Sequence, residues 1–436
     1  MSDVAIYENM KDSGIEWIGS VPSHWHIHTL YQLVNQVKDT NNDLQEKNLL
    51  SLSYGKIKRK DIDSSDGLLP ASFDSYNIIE NGDIVLRLTD LQNDHTSLRV
   101  GLATERGIIT SAYTTLRPID MSNSKYMYYL IHAFDLKKGF YGMGSGVRQG
   151  LNYTEVKDLR VVLPNREEQN TIVRFLDEQC AQIDSIIDGA KSSVVEYKKW
   201  RSVLIFEAIT KGINPSAKKK DSGIKWIGQI PNHWDCCSLK LLTKKIGSGK
   251  TPSGGADVYT DSGVIFLRSQ NIYDTGLVLQ EVSHISQDID EEMKNTRVQY
   301  NDVLLNITGG SIGRCCIYHL KDIPANVNQH VCIIRTEEDK LLPQFLRYFW
   351  NSSAGAMVVG SYQTGGNRPG LNFEQIGSTK IPICPLQEQQ AIVEYLDRIT
   401  DELDKLIMEK QQLATDLENY KRSLIYEIAT GKRKVV

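Results

Sequence analysis

Residues 247–251 read GSGKT, a glycine-rich run whose backbone N–H groups and Lys250 could cradle a phosphate. The full pattern needs a further glycine five residues before Gly249, where Lys244 stands, and Pro252 sits where the following helix should begin. The run is therefore read as a polar recognition loop. Residues 140–144 (FYGMG) imitate the glycine-rich turn that holds S-adenosylmethionine, but no suitable helix follows. No Asn/Asp-Pro-Pro-aromatic tetrapeptide occurs; Asn214-Pro215-Ser216-Ala217 merely approaches one. His24 and His233 recur beside Trp25 and Trp234, which reads as repeated packing. No Ser, His and Asp set repeats, and Glu155-Val156-Lys157 becomes Gln375-Ile376-Gly377, so a nuclease carboxylate cluster fails too. The expectation is a chain without a catalytic site, and without a metal or cofactor of its own.

Binding residues are better represented. Residues 54–60 (YGKIKRK) place Lys56, Lys58, Arg59 and Lys60 around a glycine. Further on, Ser248 and Lys250 of the GSGKT run are followed by Arg268, Gln270 and Asn271. Arg and Lys suit phosphates and guanine edges, and Gln and Asn suit adenine, so these are candidate DNA contacts. Arg148 and Arg368 join them because they recur at an offset of 220 inside glycine-rich turns, GVRQGLNY and GNRPGLNF. For these two, phosphate clamping and an internal carboxylate partner both stay open.

What positions these residues is a doubled chain. DSGIEWIGSVPSHW at residues 12–25 returns as DSGIKWIGQIPNHW at 221–234, and residues 168–210 match 388–430 without a gap. Two such copies point to two similar domains with different loops. Each copy opens a region with short β-rich stretches, at residues 83–88, 108–117, 302–307 and 331–335. Asp83 recurs as Asp302 and Arg117 as Arg335. Each then passes a proline, Pro164 or Pro385, into a long helix ending at Thr210 or Thr430 before a glycine. Asn165 with Glu168 resembles a capping box.

Within the first helix Ile172, Leu176, Gln179, Ile183, Ile186, Ala190, Ser193, Tyr197, Trp200 and Leu204 fall at steps of four and three. Ile392, Leu396, Ile399, Leu403, Leu406, Lys410, Leu413, Leu417, Tyr420 and Leu424 repeat that register. This predicts a coiled-coil seam on which the two helices pair. A two-fold relation between the copies makes the pair antiparallel, with rods of about 65 Å at ~1.5 Å per residue. Duplex DNA has the same local dyad, so such a body can read two separated half-sites. On the residues alone, a coiled-coil scaffold with two similar modules and no DNA is the plainer alternative.

Bulk properties fit an ordinary globular chain: 436 residues, 24% charged, 40% hydrophobic, net charge −4. No apolar run is long enough for a membrane span and no secretory signal opens the chain, so a cytoplasmic protein is expected. Seven cysteines without a C-x-x-C favour neither a disulfide framework nor a zinc site.

The chain resembles the specificity subunits of Type I restriction–modification systems. The resemblance rests on D-S-G-I-x-W-I-G-x-x-P-x-H-W opening both halves and G-x-R-x-G-L-N closing both regions. It continues through Glu168-Gln169, Ile172-Val173 and Leu176-Asp177, with Glu388-Gln389, Ile392-Val393 and Leu396-Asp397. It implies a mixed α/β chain, with two target-recognition domains separated by two long antiparallel coiled-coil helices as a pseudo-two-fold repeat. The implied domains are residues 1–164 and 221–385, with helical regions 165–212 and 386–432, a linker 213–220 and a tail 433–436. It also implies that each recognition domain reads half of a bipartite, asymmetric site in double-stranded DNA. The helices dock two methyltransferase subunits, and two translocase–nuclease subunits complete the complex in a prokaryotic cytoplasm. S-adenosylmethionine, ATP and magnesium belong to those partners.

Overall fold

Asp12-Ser13-Gly14 folds as its side chains dictate. Asp12 Oδ1 accepts the Gly14 N–H at 2.9 Å, Ser13 Oγ accepts the Ile15 N–H at 3.1 Å, and Gly14 takes a left-handed φ of 61°. Asp221, Ser222 and Gly223 repeat this at 3.0 Å, 3.1 Å and φ 72°. Each turn closes a hairpin, Met10–Asp12 with Ser20–Pro22 and Lys219–Asp221 with Gln229–Pro231. The repeated motif is thus a local fold instruction rather than a reactive centre.

The computed structural model describes residues 4–62, 70, 72–91, 94, 98–143, 150–254, 258–362 and 370–436. Arg148 and Arg368 lie outside the described residues. The contacts divide the chain into two units, Met1–Lys191 with Gln411–Val436, and Ser192–Lys410.

Both units are built on one sheet plan. The first orders its strands Val100–Leu102, Ile84–Leu86, Thr114–Pro118 and Val34–Gln36; the second orders Cys315–Ile317, Val303–Asn306, Val331–Thr336 and Thr243–Ser248. All these neighbours are antiparallel. The recurrent Asp and Arg explain themselves here. Asp83 takes Arg117 Nε and Nη2 at 2.8 and 2.7 Å, and Asp302 takes Arg335 Nε and Nη2 at 2.8 Å each. Both carboxylates are fully buried and each also accepts a turn N–H, from Glu80 or Gln299. The units differ around this plan. The first adds the hairpin Leu50–Ser53 with Lys56–Arg59, and the second adds a three-stranded sheet, Ser283–Ile285, Val264–Leu267 and Ala325–Val327. The stretch 108–117 is two strands, because Thr110 accepts the Tyr113 N–H at 3.1 Å and turns the chain between them.

The two long helices are Arg166–Lys211 and Leu386–Ala429. Each contributes to both units, since the unit boundaries fall within them. In the first unit, Asp184 holds Lys421 at 2.7 Å and Lys191 holds Glu418 at 2.8 Å, so the segments run antiparallel. In the second, Arg201 meets Asp404 at 3.3 Å. Each helix end is seated on a buried tryptophan of its unit. Gly431 has φ 72°, and a Cβ there would lie 2.5 Å from Pro22 and 3.0 Å from Trp25. Gly212 has φ 71°, with Trp234 3.2 Å from a Cβ. Asn165 caps the first helix through the Glu168 N–H at 2.9 Å, but the box does not close. The Glu168 carboxylate instead takes Tyr7 Oη at 2.6 Å and His24 at 2.9 Å; Glu388 takes His233 at 2.8 Å.

The seam differs from its expected register. Ile172, Leu176, Ile183, Ile392, Leu396, Leu403 and Leu424 are buried, whereas Leu204 and Leu417 are half-buried. Ile186, Leu406 and Leu413 are exposed, and these three are corrected. The buried row passes through Cys180, Ile187, Ala190 and Val194, and through Ile407 and Ala414. Small residues let the helices approach, while the larger apolar residues one position earlier face outward. Ile186 and Trp200 on one helix and Leu406, Leu413 and Tyr420 on the other occupy identical repeat positions on that outer face.

Candidate nucleic-acid interface

In the first unit the basic residues line one strand. Lys56–Arg59 pairs with Leu50–Ser53, and Lys56, Lys58, Arg59 and Lys60 are all exposed. Arg59 is corrected as a free contact: its Nε lies 2.9 Å from both Glu105 oxygens, and this pairing holds the Glu105 carboxyl below its usual range. The side chains of Lys56, Lys58 and Lys60 have no hydrogen-bond or ion-pair partner among the described residues.

Arg99 was not anticipated. It is fully buried and donates to the backbone oxygens of Thr89 at 2.8 Å and Asp90 at 3.2 Å, and to Tyr141 Oη at 3.2 Å. Its backbone N–H reaches Asp135 Oδ2 at 2.6 Å. Arg99 therefore fixes the loop after strand Ile84–Leu86. The sequence offered one signal, an arginine abutting an apolar strand, and surface cations look the same.

In the second unit the GSGKT run belongs to a loop cluster. Gly249 passes so close to the chain that a Cβ would sit 1.5 Å from Val327 O, and its N–H donates to Asn328 O at 3.1 Å. Thr251 Oγ1 meets Gln329 Oε1 at 2.6 Å, Gln329 Nε2 meets His330 Nε2 at 3.1 Å, and His330 Nδ1 meets Thr308 Oγ1 at 2.6 Å. The amide nitrogen can only donate, so His330 Nε2 accepts and Nδ1–H donates to Thr308. Thr308 in turn bridges to Gly370. Four loops converge on one polar line, and the sequence reading had named neither Gln329 nor His330.

The other candidates separate by environment. Lys250 and Gln270 are exposed, Ser248 is half-buried, and Arg268 lies over the Tyr259 ring at 5.4 Å. Asn271 is corrected: it is buried, its Oδ1 accepts the Arg268 N–H at 2.9 Å and its Nδ2 donates to Val278 O at 2.9 Å. It shapes the turn and has no face left for a base. Burial also pushes the Cys316 and Cys332 thiols up to about 12, far from a working thiolate. No helix among the described residues is long and apolar enough to cross a membrane.

Residues 231–415 match the model of the Type I restriction modification DNA specificity domain. The chain is similar over much of its length to Type I restriction enzyme specificity subunits. It is 26% identical over 341 residues to the Type I restriction enzyme MjaVIII specificity subunit of Methanocaldococcus jannaschii, covering 76% of this chain and 75% of that one. Its fold matches, with a TM-score of 0.72 at 15% identity over 94% and 99% of the chains, a structure addressing complex assembly and conformational transition of the type I R-M system. The HsdS subunit from Thermoanaerobacter tengcongensis matches at 0.54 and 14% identity, over 94% and 98%. The fold these two structures share with this chain is the mixed α/β arrangement with two long helices described above.

Proposed function

We propose that each unit of this chain reads one half of a bipartite, asymmetric site in double-stranded DNA. The observation that carries the reading is one sheet plan built twice under different loops. A basic hairpin with Lys56, Lys58 and Lys60 surmounts one copy, and the polar line Thr251, Gln329, His330 and Thr308 surmounts the other. Cations without partners suit phosphates, and amides and imidazole suit base edges.

In this reading the long helices set the distance between half-sites and dock two methyltransferase subunits. The outer row supports the docking role. Trp200 and Tyr420 are 57% and 49% exposed at equivalent positions of the two helices, as two identical partners require. Lys421, by contrast, is engaged with Asp184 and is a poor docking cation. The chain performs no chemistry; S-adenosylmethionine, ATP and magnesium act on the methyltransferase and translocase–nuclease subunits, in a prokaryotic cytoplasm.

The decisive experiment is adenine-methylation mapping by single-molecule sequencing in cells carrying this chain and its cognate methyltransferase. A split motif that disappears when the chain is deleted supports the reading. An unchanged methylome, with the methyltransferase expressed and assembled, leaves a scaffold without DNA recognition.

A further inference from the structure

Within the first unit a cavity of about 430 Å³ lies under the turn at Tyr54, against segments of both long helices. Tyr54 and Gly55 connect the hairpin strands with φ of 49° and 77°, the two left-handed positions of a type I′ turn. Glycine tolerates this geometry; a tyrosine there is an outlier, and outliers held at an exposed tip mark working loops.

The cavity wall carries four cations with different histories. Lys421 is bound to Asp184 at 2.7 Å and Lys191 to Glu418 at 2.8 Å. Lys56 and Arg422 also line the space, and neither side chain has a hydrogen-bond or ion-pair partner among the described residues. Asp188 is the opposing carboxylate on the wall. Deeper in, His132 is 6% exposed, stacks on Tyr128 at 5.4 Å, and leaves Nδ1 without a partner. A buried ring nitrogen left unmet is costly, which makes it a pointer to something that fills the space. Burial, with Lys421 and Arg422 adding to it, pushes the His132 pKa down to about 4. At neutral pH the ring is therefore uncharged, with one N–H and one acceptor nitrogen, and the Nδ1–H tautomer would present a donor.

The second unit has a cavity at the matching repeat positions, with Arg201 for Lys421, Asp404 for Asp184, Ile205 for Ile425 and Asn351 for His132. Its chemistry is opposite. Both of its arginines are paired, Arg201 with Asp404 and Arg347 with Asp397, and Asp274 and Asp401 remain on the wall. A surface for two identical partners would keep its chemistry in both copies. This one does not, so its occupant meets the two units differently.

We propose that the first-unit cavity takes a backbone phosphate of the bound DNA, clamped by Lys56 and Arg422 above the His132 ring. The inference rests on the DNA-reading function above and adds a contact made from the helix pair. A phosphodiester oxygen needs donors alone, and ammonium, guanidinium and imidazole N–H supply them. Such a contact is blind to sequence.

The test uses the full chain assembled with its methyltransferase and measures duplex affinity against salt, with and without the methylated motif. Each phosphate contact contributes about 0.9 to the slope of log affinity on log salt. Arg422→Gln and Lys56→Gln should each lower that slope by about one, and the double variant by about two, equally on both duplexes. Arg422→Lys should keep the slope, Asp188→Asn should tighten binding, and Lys225→Gln, an exposed cation elsewhere, should change nothing. An unchanged slope in the double variant overturns the proposal. So does saturable binding of inorganic phosphate that the double variant abolishes while its DNA slope stays intact, because the site then serves a free anion. A wild-type complex without salt-dependent DNA binding removes the functional reading itself, which the variants alone cannot do.

Discussion

A buried carboxylate can hold a fold together or strain it, and this chain contains both kinds. Asp302 is fully buried with Arg335 fitted to both oxygens, so Asp302→Ala strands a guanidinium. Breaking such a pair costs ~3–5 kcal/mol, and the lower end applies because Arg335 is partly exposed. Urea unfolding should show that loss, and Asp302→Leu with Arg335→Met should recover much of it. Asp135 behaves oppositely: burial raises its pKa to about 6, against the Arg99 and Val100 N–H bonds that oppose the rise. The native state then keeps a proton that the unfolded chain has released, so the contribution of Asp135 to stability is fullest below about pH 4 and is lost as pH rises through 6. Asp135→Asn should flatten that part of the stability profile; an unchanged slope in thermal melts would refute the assignment. The Asp83/Asp302 and Arg117/Arg335 recurrences were legible in the sequence because they are repeated. Asn271 was misread because composition names a side chain without its aim, and an amide that caps a turn looks like one that reads a base.

At the level of elements, both long helices and their ends were legible from prolines, glycines and spacing. The face was not. Two apolar rows lie one residue apart, through Ile186 and through Ile187, and periodicity cannot say which one meets the other helix. Size decides it: Cys180, Ala190 and Ala414 permit a close approach, and Trp200 and Tyr420 do not. The outward aromatics then give a prediction with two readouts. Trp200→Ala with Tyr420→Ala should leave the melting of the chain almost unchanged, since surface substitutions usually fall within about 0.5 kcal/mol. The same variant should lose methyltransferase in co-purification, because exposed Trp and Tyr are the residues that anchor interfaces. A large drop in stability with assembly intact would place these rings in the fold instead.

For the whole molecule, the sequence disclosed two copies but not that the first unit is assembled from two stretches of chain while the second, Ser192–Lys410, is continuous. The first unit takes its final segment, Gln411–Val436, from the far end of the chain, and strand Val4–Ala5 pairs with Lys434–Val435. Gly212 seats the end of one helix on Trp234 of its unit, and Gly431 seats the end of the other on Trp25 of its own. The spacer role proposed for the helices can therefore be tested without touching a recognition loop. Seven residues turn an α-helix through nearly two turns, so a heptad inserted into both helices keeps the buried row in register. It adds about 10 Å of rod at ~1.5 Å per residue, equivalent to up to about three base pairs at ~3.4 Å each. Methylation mapping should then return both half-sites unaltered in sequence with a longer gap between them. Unchanged spacing in a folded, active variant would mean that the helices do not measure the site, whatever else they dock.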